Sequence, residues 1–276
     1  MLITFTFLIF DKVLYLLKKI KSYKYLPKWI INNRFNSPFI NFISYINPKY
    51  IFVFKLKDLI YEYPLPLILT ALIKERDIAV DIEANKGQYT ILLSKLVGQK
   101  GKVYAFEPNP RNFLILKHRI RKLKNVIIER KAVGNKKAKL KFYLDKYPEA
   151  STIFKDAAIS PIACIEVDMI CLDDYFYGFK RDIALIKIDV QGSELLVLDG
   201  MKELIKKVKV IIFEFWPFGL KAAGIEPFSL IEKLKLNNFK LMLIDENFNI
   251  FSVNEMYDKI NDKEYLNIIA IKKNIN

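Results

Sequence analysis

Between residues 78 and 129, short apolar runs alternate with helical patterns, and this alternation constrains the fold more than any other feature of the chain. The run Ile78–Ile82 leads to a helix over 88–97 that ends at Gly98. The run 102–106 leads to a helix over 110–122, with Pro108 and Pro110 in the turn. A third run, 125–129, leads to Lys131-Ala132-Val133-Gly134-Asn135. Runs this short and this apolar read as strands, and strands alternating with helices form a mostly parallel sheet through right-handed crossovers. Such a sheet binds its ligand outside the carboxyl ends of the strands, where the strand order reverses.

Acids stand at those ends. Asp81 closes the first strand, and the loop Glu83-Ala84-Asn85-Lys86-Gly87 joins it to the next helix. A strand, tight loop and helix bring unpaired N–H groups towards a ligand. Glu107 closes the second strand, where a carboxylate can accept both hydroxyls of a ribose. Further on, Ile183–Asp189 reads as a core strand whose first residues are continuously apolar. Lys187 and Asp189 lie two apart and share a side of it. A lysine embedded there needs a partner, because a buried unpaired ammonium is costly. Asp189 is the natural candidate. Gly192 permits a tight exit, and Ser193 can cap a helix containing Glu194. The strand 208–213 ends in Glu214-Phe215-Trp216-Pro217. Trp216 reads equally well as an acceptor wall or as a cover for the core.

From about Glu75 onwards the sequence resembles the FkbM family of S-adenosylmethionine-dependent methyltransferases. The blocks that carry the resemblance are Val80–Thr90, Ala105-Phe106-Glu107-Pro108-Asn109, Ile186–Glu194 and Ile212-Phe213-Glu214. It implies an α/β, Rossmann-like, mostly parallel sheet with helices on both faces and a C-terminal antiparallel hairpin. It also implies S-adenosyl-L-methionine as cofactor. Asp81 would hold the methionine part, and Glu83, Asn85 and Gly87 form the loop around it. Glu107 would take the ribose, with Ala132 and Val133 beside the adenine. The family has glycine where this chain has Glu83. The acid after the strand at 183–189 would lie beside the transferred methyl. Asp189 is therefore the expected base or acceptor-orienting residue, tuned by Lys187, with Glu194 orienting the acceptor or bracing the loop. The same three residues also read as a structural ion-pair network. The implied reaction is O-methylation of a hydroxyl on a sugar, glycan or lipid-linked small molecule. Two other readings stay open. One is a non-catalytic scaffold with a cofactor loop altered by Glu83. The other is a nucleic-acid methyltransferase, suggested only by a formal net charge of +15.

That charge is spread along the chain, and Lys, Ile, Asn, Phe and Tyr abound, as A+T-rich codons would supply. No nucleic-acid module accompanies it, so nucleic acid is not an expected partner. Cys164 and Cys171 form neither a disulfide framework nor a zinc site. They read as small buried apolar side chains of a cytoplasmic protein. The single histidine, His118, sits on a charged helix face, and no metal is assigned. The domain boundary falls near residue 60, dividing an N-terminal extension (1–60) from the α/β domain (61–276). Residues 1–30 combine an apolar run with Lys18, Lys19, Lys21, Lys24 and Trp29. They suit a helix lying on the anionic inner face of a membrane, or one packed on the main domain or another subunit. Asp11 and Lys12 break the run below the length a membrane span needs. Residues 145–161 read as a loop over the site, and Asp173 as an N-cap.

Overall fold

The computed structural model describes residues 65–244, 250, 251, 253 and 266–273. The extension, with its expected membrane or subunit contact, and the turn at 245–248 lie outside the described residues.

In chain order the elements are α1 (Leu65–Leu72), β1 (Ile78–Ile82), α2 (Gln88–Val97), β2 (Lys102–Phe106), α3 (Pro110–Ile120), β3 (Val126–Glu129), β4 (Ala132–Gly134), β5 (Ala138–Asp145) and β6 (Pro161–Cys171). Then come α4 (Leu172–Tyr175), β7 (Ile183–Ile188), α5 (Glu194–Asp199), β8 (Val208–Phe215), α6 (Pro217–Ala222), α7 (Pro227–Leu236), β9 (Phe239–Ile244), β10 (Ile250–Phe251) and β11 (Leu266–Lys272). Eight strands form the main sheet in the order β10-β9-β11-β8-β7-β1-β2-β3. β3, β2, β1, β7 and β8 run parallel, whereas β11 pairs antiparallel with both β8 and β9. The order reverses between β1 and β7, which makes the carboxyl ends of those two strands the expected binding place.

Side-chain alternation along the strands explains the two covered faces. Ala79, Val103, Leu185, Val210 and Ile212 point to the face packed by α1 and α2. Ile78, Val80, Ile186, Ile211 and Phe213 point to the face packed by α5 and α7. Every residue of β1 and β7 is buried, as strands covered on both faces require. Each fully buried Leu or Ile contributes about 1.5–3 kcal/mol. The consequence for the site is that Asp81 and Lys187, register partners on adjacent strands, fall on the face covered by α2 rather than in solvent.

Four details depart from the sequence reading. β4, β6 and β5 form a separate three-stranded sheet. Asp173 lies within α4 and does not cap it; its carboxylate accepts the N–H groups of Glu203 and Leu204, closing the 3₁₀ turn at Leu204–Lys207. Ser193 stands at the N-cap of α5 but makes no cap bond, because its hydroxyl donates to the Val190 carbonyl at 3.0 Å. Cys164 is exposed and Cys171 only partly covered, since β6 shows much of its length to solvent; they are not two buried apolar thiols.

Candidate active site

The loop after β1 is built by backbone hydrogen bonds. Ala84 N–H donates to the Phe106 carbonyl (2.9 Å) and Gly87 N–H to the Ala84 carbonyl (2.8 Å). Glu107 fixes it from β2: one carboxylate oxygen accepts Asn85 N–H at 2.7 Å, and the other accepts Asn109 N–H at 2.8 Å. Gly87 starts α2 with φ +84°, and a Cβ there would come within 2.5 Å of a Leu116 methyl. Only glycine satisfies both demands.

Glu83 sits at φ +55°, in the left-handed region where the resembling family has glycine. A non-glycine residue there costs about 1–2 kcal/mol. Burial pushes its carboxyl well above the usual range, and the charges of Glu107, Asp189 and Glu194 add to the effect. Glu83→Gly is therefore expected to raise stability by about 1 kcal/mol, net of the entropy glycine gains in the unfolded chain. Glu83→Ala keeps the strained backbone and should gain less. Denaturant midpoints of the two variants measure the difference.

Below this loop, Asp81 is fully buried and accepts the Thr90 hydroxyl at 2.6 Å. Burial raises its pKa, opposed by the Lys187 charge and the Thr90 bond. Lys187 donates to Asp189 at 2.9 Å and lies over the Tyr89 ring at 4.7 Å from its centroid. Asp189 also accepts from the Gln191 amide at 3.0 Å, and the same amide nitrogen donates to Glu214 at 3.1 Å. Gln191 holds φ +48° and its carbonyl accepts the Thr152 hydroxyl at 3.0 Å. One strained residue thus ties two carboxylates to the segment 145–161. Glu194 is buried, with one oxygen on Gly192 N–H at 3.2 Å. Burial raises the pKa of Glu107 and of Glu194 to about 7. Burial and the Asp189 charge push Glu214 to about 8.

These groups surround a cavity of about 690 Å³. Glu83, Asn85, Glu107, Asp189, Gln191 and Glu214 line it. Phe142, Pro148, Ile159, Trp216 and Phe218 line it as well, so the segment 145–161 does border the site. Asp81, Lys187 and Glu194 are not among the lining residues, and Gly87 shapes the loop. Ala132 and Val133 are buried in β4 and are not among the lining residues.

Sequence reasoning missed Gln191 as a bridge and Asn112 altogether. Asn112 lines the cavity, is 2% exposed, and its Oδ1 has no hydrogen-bond partner. Its place in the first turn of α3, five residues after Glu107, was the available signal. The other buried side-chain atoms without a partner among the described residues are Asp81 Oδ1, Asn85 Oδ1 and Glu194 Oε2. All four are acceptors. No group of three or more His, Cys, Asp or Glu among the described residues is arranged to hold a metal ion.

A parallel sheet that reverses between β1 and β7, ends in antiparallel strands and carries a cavity at the reversal defines a Rossmann-like α/β domain with a binding site at its switch point. The methyltransferase FkbM domain matches residues 81–265, and the chain belongs to that family. It is 26% identical over 179 residues to the hexuronic acid methyltransferase AglP of Haloferax volcanii, covering 63% of this chain and 68% of that protein. Among solved structures, it is similar to an FkbM methyltransferase from Methylobacillus flagellatus KT, with 13% identity, a TM-score of 0.45, and coverage of 74% of this chain and 50% of that one. It is also similar to a methyltransferase from Streptococcus mutans in complex with SAH, with 15% identity, a TM-score of 0.45, and coverage of 76% and 98%. Both structures are too distant to bear on individual site residues. No described helix is long and apolar enough to cross a membrane.

Proposed function

We propose that this chain binds S-adenosyl-L-methionine in the cavity at the β1–β7 reversal and transfers its methyl group to a hydroxyl of a sugar, glycan or lipid-linked small molecule. The observation that carries the reading is the mismatch of polar groups in and around the cavity. Unpartnered buried acceptors at Asp81, Asn85, Asn112 and Glu194 stand among carboxylates whose pKa values are raised. Such a site suits a ligand rich in N–H and O–H donors and carrying positive charge. S-adenosylmethionine offers an ammonium, a sulfonium, two ribose hydroxyls and an adenine amine. The sugar preference draws on the relative's hexuronic acid substrate.

Glu107, Asn85 and Asn112 would hold the nucleoside end, and the loop at Glu83 with Asp81 beneath it the aminoacyl end. Bound there, the cofactor supplies a methyl on a sulfonium, so that the acceptor oxygen bonds to carbon while the carbon–sulfur electron pair leaves with sulfur. The protein's own part is to aim that oxygen and take its proton. Asp189 is the group in position. It borders the cavity, and Lys187 and Gln191 hold it in one orientation.

Calorimetric titration of S-adenosylmethionine and S-adenosylhomocysteine tests the cofactor half. Micromolar affinity, roughly −8 kcal/mol, is expected. No binding by either ligand would overturn the cofactor site. Asp189→Asn tests the catalytic half. It should bind the cofactor within a few-fold of the native protein yet lose on the order of 10²–10⁴ in methyl transfer. An unchanged rate would leave Asp189 with a structural role only.

A further inference from the structure

Resting on that reading, we propose that the acceptor carries a protonated amine near the hydroxyl that is methylated, as an amino sugar does, and that the site discriminates against uronic acids. The starting observation is which charges line the cavity. Glu83, Glu107, Glu149, Asp189 and Glu214 line it, and no lysine, arginine or histidine does among the described residues. The Lys187 ammonium lies below the surface, held by Asp189, with a side chain only 6% exposed. An acceptor carboxylate entering here would meet these acids, and none of the described lining residues offers it a cation, an arrangement that suppresses wrong partners.

The cofactor does not remove this excess. Its sulfonium and ammonium are partly offset by its own carboxylate, which leaves one net positive charge. Glu107 is committed to the Asn85 and Asn109 N–H groups, and Asp189 to Lys187 and Gln191. Glu214 accepts from Gln191 at Oε2 and lines the same cavity. Burial and the Asp189 charge raise the pKa of the Glu214 carboxyl, and the Lys187 charge offsets this only in part. An ammonium beside it would favour its charged form.

The aromatic side chains that line the same cavity fit the same ligand. The Trp216 and Phe218 rings lie 5.4 Å apart between centroids, and Phe218 is 46% exposed. Trp216 is braced from behind by the Gly219 backbone, where a Cβ would come within 2.2 Å of its ring. A fixed aromatic face accepts the C–H side of a sugar ring and attracts a neighbouring ammonium. A cavity lined by carboxylates and an indole binds a hydroxylated cation better than a hydroxylated anion.

The test uses full-length protein with S-adenosylmethionine at a concentration already shown by calorimetry to saturate it. Methyl transfer to the para-nitrophenyl glycosides of glucosamine, N-acetylglucosamine, glucose and glucuronic acid is compared by product mass and by kcat/KM. The glucosaminide is expected to exceed the glucoside by at least about tenfold, with the glucuronide last. N-acetylation, which removes the charge and keeps the ring, should abolish the advantage. Glu149→Lys, at an exposed position on the rim, should shift the glucuronide-to-glucosaminide ratio towards the glucuronide by about fivefold. A glucuronide methylated as fast as the glucosaminide, or an N-acetylated acceptor as good as the free amine, overturns the proposal. So does transfer to none of the four by protein that binds cofactor. Failure to bind cofactor at all would instead strike the reading on which the proposal rests.

Discussion

Lys187→Met is expected to lower stability by about 3–5 kcal/mol at pH 8, with a fall in Tm of roughly 10 °C. The side chain is nearly buried, and its charge lowers the pKa of Asp81, Glu83 and Glu214 while its ammonium bonds Asp189. Methionine fills much of the same volume, so the loss measures charge more than a cavity. The carboxyls left behind can escape by taking up protons, because uptake costs less than a buried unpaired anion. The penalty should therefore shrink on acidification, to about half at pH 5. Thermal melts of native and variant protein at both pH values check this. An equal loss at both would mean that Lys187 acts through its packing on the Tyr89 ring, 4.7 Å away.

What could be read in advance follows from how local each signal is. β1, α2, β2 and α3 were legible because a strand buried on both faces is a continuous apolar run, and Gly98 and Pro110 mark helix ends. The same holds for β7 and β8. The small sheet β4-β6-β5 was not legible as a sheet. β4 is three residues among charged neighbours, and β6 exposes many of its side chains, so neither shows a core pattern. α6 was missed because six residues around Gly219 give too little period. In the site, the Lys187–Asp189 pair could be expected from a two-residue spacing on one strand. The two hydrogen bonds that the Gln191 amide donates to Asp189 and Glu214 could not, since they need β7 and β8 side by side and a left-handed backbone at a residue that is not glycine. Ala132 and Val133 show the converse. They follow β3 in sequence, as the resemblance requires, but chain order carries no information about which side chains reach the cavity.

Stability should also fall as pH rises from about 5 to 8.5, by roughly 10 °C in Tm, the reverse of the usual trend for carboxylates held by salt bridges. The sign follows from proton counting. Unfolded, Glu107, Glu194 and Glu214 titrate near the ordinary 4.5; folded, they titrate near 7, 7 and 8. Between those values the native state binds more protons than the unfolded one, so each pH step upwards favours unfolding. The stabilising difference is fully present below 4.5 and is lost through the folded values. For Glu194, a rise from 4.5 to about 7 is worth of order 3 kcal/mol. The three groups repel one another when ionised, so their effects do not add. Glu214→Gln should flatten the decline, and Glu149→Gln, at an exposed position, should leave it unchanged. A cationic ligand reverses the preference of the same carboxyls by favouring their charged forms. Stabilisation by S-adenosylmethionine should therefore grow from pH 6 to pH 8, by about tenfold in affinity if one carboxyl's proton is displaced on binding. A flat or rising Tm between pH 5 and 8.5 would mean that these carboxyls are ionised in the folded protein. The buried orphan acceptors would then have to account for cofactor binding without help from charge.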